Sequence, residues 1–453
     1  MSYGSRQFAM QWINHYSRKD TNHHIKGSDT AANRRTLVIV PFSVVIDDRL
    51  GAGRLDTFTT LADIELDLNT AANWDTVTPI DYTVAATRAG NDFYYYACIP
   101  VSGNVPVVKL SANSTYPSGY TANNSRKIGG FHAMPHVTAP TWLADTVTTV
   151  KYVVQPVTPG ATKLLYRCTA RAGDYKTHAA TEPTWPTTVG ETVVDDQVTW
   201  TCDANGCENL PVGHPYIGFL MGDILFNSIW DLLDLPQCSP EGMVKSSSTP
   251  SNGGKALWVD IYHANGVGTT LSSVHAATVK ASTGFFTFME YGVLLQKKMI
   301  SLSEFQIASK GSIQAAVVAG AALPATSKFY LDTTGRSIIS NVGCIGITGE
   351  YYTFLRDSPY IDLATLAHVH VENAAAEYTQ SASVASTNPI PALAHVDDSA
   401  GKGRVYHRGI LKFVAIGGGA LAPPASVGSH GLVFHCEYTG GTGNAVRFVC
   451  DPK

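Results

Sequence analysis

Histidines, carboxylates and thiols are the side chains here that could do chemistry, and their spacing decides which chemistry. The string "HVHVE" at 368–372 would set His368, His370 and Glu372 on one face of a strand, the arrangement a metal site needs. A structural strand with its polar face in water shows the same alternation. Eight cysteines include no C-x-x-C pair, and Cys202 and Cys207 are separated by "DANG" with only scattered histidines to join them. No G-x-S-x-G and no H-E-x-x-H occurs. The paired carboxylates of glycoside hydrolysis cannot be singled out among 36 acidic residues. The expectation is no catalytic residue, no metal and no cofactor, in a chain that is not an enzyme.

Binding is better represented, at the C-terminal end. From Ile416 to Cys450 there are eight glycines but only two charged side chains, Glu437 and Arg447. Short apolar runs (Leu432 to Phe434, then Val446, Phe448 and Val449) separate the glycine clusters, which reads as strands carrying loops. "GGGALAPP" lacks the Lys-Ser/Thr of a phosphate loop. Its Pro423 and Pro424 instead stiffen the loop and lower the entropy lost on binding. His430, His435, Glu437 and Tyr438 are the nearby groups able to hydrogen-bond a sugar or a surface protein. With Phe434 in the core, alternation sends His435 outward and Cys436 inward. An inert loop rim is the plainer reading of the same residues.

These groups must be positioned by a 453-residue chain with 44% hydrophobic but only 15% charged residues, against roughly 25% charged in typical soluble domains. A core is feasible, and its surface is covered by Thr, Ser, Asn and Gly. A net charge of −4 argues against a general nucleic-acid binder. The opening residues hold no apolar stretch of signal-peptide type, and "AAVVAGAALPA" is too short to cross a bilayer. The expectation is synthesis in a cytoplasm, no membrane insertion, and use within an assembly.

Along the chain, Phe8, Trp12 and Tyr16 recur at i, i+4 and i+8. Residues 1–27 are thus either a frayed terminus or a docking arm that orders on a partner. From 28 to 137 the pattern is β: "RTLVIVPFSVVID", "DIELDLN", "FYYYACIPV" and "VPVVKLSA", with turn signals between them. This predicts an antiparallel β domain. Residues 138–206 read as an inserted small β module with "PTW" at 140–142 and again at 183–185. Its Trp142, Trp185 and Trp200 either offer aromatic faces to sugar rings or fill the module's core. Cys168 and Cys202 end similar strand-like runs and would face each other across a sheet; whether they bridge depends on the compartment. The favoured reading is eight mostly buried thiols. "GDILFNSIWDLLDL" has helix-like spacing and predicts a helical connector over 207–240. In "SLSEFQIASKG" a capping box from Ser301 to Glu304 predicts a helix that stops at Gly311. "GEYYTFLRD" is a further helical candidate, "ALWVDIYHA" and "GILKFVAIGGG" are strand-like, and 241–453 reads as α+β.

Several stretches, taken in order, resemble a known family: "ANNSRKIGGFHAMP", "SPEGMV", "WVDIYHANG", "GVLLQKKMISLSEFQIASKGS" and "GRSIISNVGCIGITGEYYTFLRD". They look like tail-fibre and major-tropism-determinant-like proteins of tailed bacteriophages. The segment "EPTWPTTVGETVVDDQVTWTC" is similar to a small β module inserted in phage fibre proteins. The resemblance implies mostly β N-terminal domains followed by an α+β C-type-lectin-like domain that displays a variable surface near the chain end. "LKFVAIGGGA" and "AVRFVCD" look like the scaffold strands bracketing that surface. The chain departs from the family in two ways. Tyr351, Tyr352 and Phe354 stand where relatives carry a Trp-rich helix, and the display region is poor in Tyr, Trp, Asn and Arg.

The expected function is a virion receptor-binding protein, a tail fibre whose C-terminal surface meets a host glycan or protein, with other virion proteins as partners. The resemblance also implies a homo-oligomer, a trimer, made in the cytoplasm of a bacterial host and located in the virion. The alternative is a structural virion component, such as a capsid decoration, collar or baseplate protein. The charge-poor C-terminal loops favour it, because charge depletion marks the core of protein interfaces. A polysaccharide-degrading fibre would need a β-helix repeat, and none is legible.

Overall fold

The computed structural model describes residues 23–47, 55–177, 180–207, 209–246, 256–281, 283–312, 325–332, 335–356, 413–417, 428–435 and 444–453. The chain divides into two compact units. One comprises Met1–His136, Gly218–Met243 and Asp451–Lys453, the other Val137–Ile217 and Val244–Cys450. Phe8, Trp12 and Tyr16, and also His368, His370 and Glu372, lie outside the described residues.

The first unit is built of short antiparallel strands: β1 His24–Ile25, β2 Thr36–Ile39, β3 Ser43–Asp47, β4 Leu55–Thr59, β5 Ile64–Asp67, β6 Asp92–Cys98, β7 Val107–Ser111 and β8 Ser125–His132. The apolar run from Thr36 to Asp47 is two strands, not one. Around Pro41 the chain leaves the sheet β1–β2–β5 and enters the β3–β4 pair, since proline has no N–H to continue a ladder. Leu37, Val44, Phe58, Phe93, Tyr95 and Phe131 belong to its core.

The expected helical connector is not helical. Residues 226–228 make one 3-10 turn, and Trp230–Asp231 is a strand (numbered β14 in chain order) on the edge of the sheet β14–β8–β6–β7. Gly129 and Gly130 admit it, because a Cβ at Gly130 would lie 2.7 Å from the Trp230 ring. Asp223, which a helix would turn to solvent, is 1% exposed. Its carboxylate accepts from Leu220 N at 2.8 Å and from Arg34 Nε at 3.3 Å, and burial raises its pKa to about 6. Two short α-helices, α1 Ala31–Arg34 and α2 Ala85–Arg88, and a 3-10 turn at Ala71–Asn73 complete this unit's helical content among the described residues.

The second unit opens with β9 Val137–Thr138, which pairs in parallel with Phe329–Tyr330 (β18). The inserted module follows: β10 Val153–Val154, β11 Leu165–Arg171, β12 Thr192–Asp195 and β13 Val198–Asp203, in the order β10–β11–β13–β12. Alternation along β13 buries Val198, Trp200 and Cys202 on one face. The register places Cys168 opposite Trp200 and Cys202 opposite Tyr166, so the two thiols are not cross-strand partners; both are free and buried.

The remaining body holds a sheet of order β15–β16–β23–β17, with β15 Met243–Ser246, β16 Leu257–Asp260, β17 Lys298–Met299 and β23 Phe448–Cys450. Helix α3, Phe285–Leu294, packs Phe285, Phe288 and Gly292 inward. A Cβ at Gly292 would lie 3.1 Å from the Phe448 ring, so glycine permits that approach. Helix α4, Leu302–Ala308, carries the expected capping box. Ser301 N donates to Glu304 Oε2 at 2.8 Å, Glu304 N donates to Ser301 Oγ at 3.3 Å, and the turn closes at Gly311 with φ +79°. "GEYYTFLRD" is a strand rather than a helix, β19 Tyr352–Phe354. No helix among the described residues is long and apolar enough to cross a membrane.

Candidate functional site

The glycine-rich end forms a sheet with β19. Its strands are β20 Phe413–Gly417, β21 Gly428–His435 and β22 Asn444–Ala445, in the order β21–β20–β19–β22. Strand β20 pairs antiparallel with β21, Phe413 opposite His435 and Ile416 opposite Leu432. The register then shifts, and Gly417 faces Gly428. His430 falls within that irregular stretch, and His435 ends the strand. Pro423, Pro424, Glu437 and Tyr438 lie outside the described residues, in the connections leaving β20 and β21. The backbone thus brings His430 and His435 onto one strand of this sheet.

That sheet is anchored by a buried polar network that spacing along the sequence did not reveal. Arg447, 0% exposed, donates through Nη1 to Asp260 O at 3.0 Å and Ile261 O at 2.6 Å. Its Nη2 reaches Ile345 O, and His263 Nδ1 at 3.4 Å. Asp260 accepts from Lys297 Nζ at 2.7 Å and from Phe448 N at 3.0 Å. His263 Nε2 lies 3.4 Å from Thr353 Oγ1, the middle residue of β19, and Nδ1 lies 3.2 Å from Glu350 Oε2. Two segments far from Arg447 in the chain, 260–263 and the one holding Ile345, therefore meet at its guanidinium.

Charge states follow from burial. A guanidinium only donates, so the contact from Arg447 marks His263 Nδ1 as an acceptor, with the ring proton on Nε2 facing Thr353. Burial, with the Arg447 charge beside it, pulls the His263 pKa well below the usual value. Burial also raises the Glu350 pKa well above the usual carboxylate range, more than Arg447 lowers it. A protonated Glu350 then donates to His263 Nδ1. With Glu350 and His263 fully enclosed, this arrangement is suited to fixing strands rather than to transferring protons to a substrate. Burial likewise disfavours thiolates at two cysteines, pushing the Cys98 thiol up to about 12 and Cys344 to about 11.

Of the two readings of the module's tryptophans, sugar stacking or core, burial separates the residues. Trp142 and Trp200 are 6% and 0% exposed, within the core of the inserted module. Their indole N–H groups converge on Asp195 Oδ2 at 2.8 and 3.1 Å. Trp185 is half-buried, its ring 4.2 Å from that of Tyr166, and its Nε1 donates to Glu182 at 2.7 Å. Neither Trp142 nor Trp200 has a free ring face. In a small domain, burying these rings is the larger gain.

The features together define a mostly β protein with an internally braced sheet formed by β19 to β22. Residues 58–158, from β4 past β10, match the family described as Mtd second domain. Among solved structures, the chain is similar to the Major Tropism Determinant U1 variant (17% identity, TM-score 0.48) and P3c variant (17% identity, TM-score 0.49). Each similarity covers 95% of this chain and 86% of the other. No curated protein matches.

Proposed function

We propose that this chain is a bacteriophage tail protein that recognises the host surface through the loops carried by the β21–β20–β19–β22 sheet, and that it binds rather than catalyses. The observation that carries this reading is the match of residues 58–158 to the Mtd second domain, in a chain whose C-terminal sheet is fixed by the Arg447 network. The sheet's α+β setting supports a C-type-lectin-like display, with His430, His435, Glu437, Tyr438, Pro423 and Pro424 on or beside its loops. A rigid frame under stiffened loops lowers the ordering cost of binding. Other virion proteins hold the particle end, and a homotrimer would turn weak single contacts into avidity.

The test leaves β23 in place, because that strand lies between β16 and β17 and truncation would remove the core. Residues 418–427 and 436–443 are replaced by short Gly-Ser turns, and labelled protein is bound to host cells. Loss of cell binding by a folded variant supports the reading; undiminished binding sinks it.

One observation favours the structural alternative. Helix α3 exposes Phe286 (52%), Met289 (44%), Val293 (78%) and Leu294 (58%), an apolar stripe suited to a protein contact. Virions assembled with Met289→Glu and Val293→Glu distinguish the two: lost incorporation with intact cell binding assigns α3 to assembly.

A further inference from the structure

The inserted module's exposed aromatic is not a tryptophan but Tyr175, 44% exposed. Its backbone has φ +66°, a left-handed conformation that glycine or asparagine adopts readily and a tyrosine only at a cost. The surroundings over-determine it. Tyr175 N donates to Gln197 Oε1 at 2.9 Å and to Ala172 O at 3.1 Å, and Tyr175 O accepts from Thr148 N at 2.9 Å. The Arg171 guanidinium lies over the ring, 4.4 Å from its centroid, and is itself tethered by Nη1 to Thr148 O at 2.7 Å. Beside it, Lys176 Nζ and Asp145 Oδ1 pair at 3.0 Å, both side chains exposed.

We propose that Tyr175 and Arg171 form a saccharide-binding platform, with a pyranose ring laid on the face of Tyr175 opposite Arg171. A backbone that would be relaxed with glycine or asparagine carries instead an aromatic ring, and strain kept in an exposed position points to use of the side chain. The ring offers an apolar face to sugar C–H groups. Arg171, Lys176 and Asp145 supply donors and acceptors for the hydroxyls around it. A sugar needs both an apolar ring face and hydrogen-bonding groups around it, and the patch supplies the two together. The platform lies in a different part of the second unit from the display sheet and does not depend on host recognition by that sheet.

The full-length protein is applied to an immobilised panel of purified bacterial capsular, lipopolysaccharide and wall-teichoic oligosaccharides, and the best is titrated in solution. Tyr175→Gly should weaken binding at least tenfold while the melting temperature stays level or rises, because glycine relieves the left-handed strain. Tyr175→Phe should retain most of the binding. The variant with residues 418–427 and 436–443 replaced should bind the panel undiminished, so failure of the display-sheet reading leaves this result standing. If Tyr175→Gly fails to fold, Tyr175→Asn carries the same test. Wild-type protein that binds no oligosaccharide, or Tyr175→Gly that binds like wild type, overturns the proposal. Attachment to cells that depends on Tyr175 but vanishes after protease treatment of the cells also overturns it, and makes the patch a protein contact.

Discussion

Among the described residues, each unit of this molecule encloses one arginine completely, and the two are used differently. Arg88 donates to Tyr82 O, Thr83 O and Asn69 Oδ1, all within 19 residues, and to one distant acceptor, Gly222 O. Arg447 donates only to acceptors more than 100 residues away: Asp260, Ile261, His263 and Ile345. Arg88 secures a loop whose closure is already mostly local, and burial lowers its pKa to about 10. Arg447 joins strands that nothing local brings together. A buried arginine with neutral acceptors is thus a local staple in one place and the keystone of a sheet frame in the other.

The largest expected effect comes from removing the keystone. Arg447→Met leaves three buried carbonyls without their donor, and should cost about 3–5 kcal/mol by urea unfolding. Arg88→Met should cost less, about 1–3 kcal/mol, because chain closure persists when the donors are gone. Equal losses would break the contrast between local and long-range use. A loss confined to Arg447→Met would sharpen it.

Next in size is a pH effect in the first unit. Asp223 binds its proton more tightly folded than unfolded, since burial raises its pKa from 3.8 to about 6 despite Arg34. The stability this group contributes is full below about pH 4 and is lost as pH rises towards 6. Asp223→Asn, which keeps an acceptor for Leu220 N, should flatten the dependence of melting temperature on pH across that window. An unchanged pH profile would show that Arg34 outweighs burial there.

What the sequence made legible divides along the same line between local and distant partners. The α4 helix was readable because Ser301 and Glu304 cap it from three residues apart. Strands β11 and β13 were readable from their own alternation. The stretch 222–235 had helical spacing, but Gly222 carries φ +77° and a Cβ there would lie 2.6 Å from Ala85 O, more than a hundred residues away. Strand β19 was misread because its partners Ile416 and Ala445 are also distant in the chain. Helix α3 was missed since its apolar residues run all round, with Phe286 and Val293 exposed. A single arginine in "AVRFVC", and Asp260 with His263 in "WVDIYHA", were the visible signals of the network. Nothing in their spacing joined them.

The smallest expected effect tests the proton in that network. Glu350 Oε2 faces an imidazole nitrogen already taken as an acceptor by Arg447, so the contact is favourable only with a proton on the carboxyl. Glutamine supplies the same donor, and Glu350→Gln should stay within about 1 kcal/mol of wild type at neutral pH. Glu350→Ala should lose more, leaving His263 short of a partner. Because the folded pKa lies above 4.5, the contribution of Glu350 is complete in acid and declines as pH climbs through the folded value. Wild type should therefore lose ground to Glu350→Gln in alkaline solution. A glutamine variant as damaged as Arg447→Met at neutral pH would mean that Glu350 is ionised in the fold. Arg447 would then owe its hold to a carboxylate, and its contrast with Arg88 would rest on charge rather than on distance along the chain.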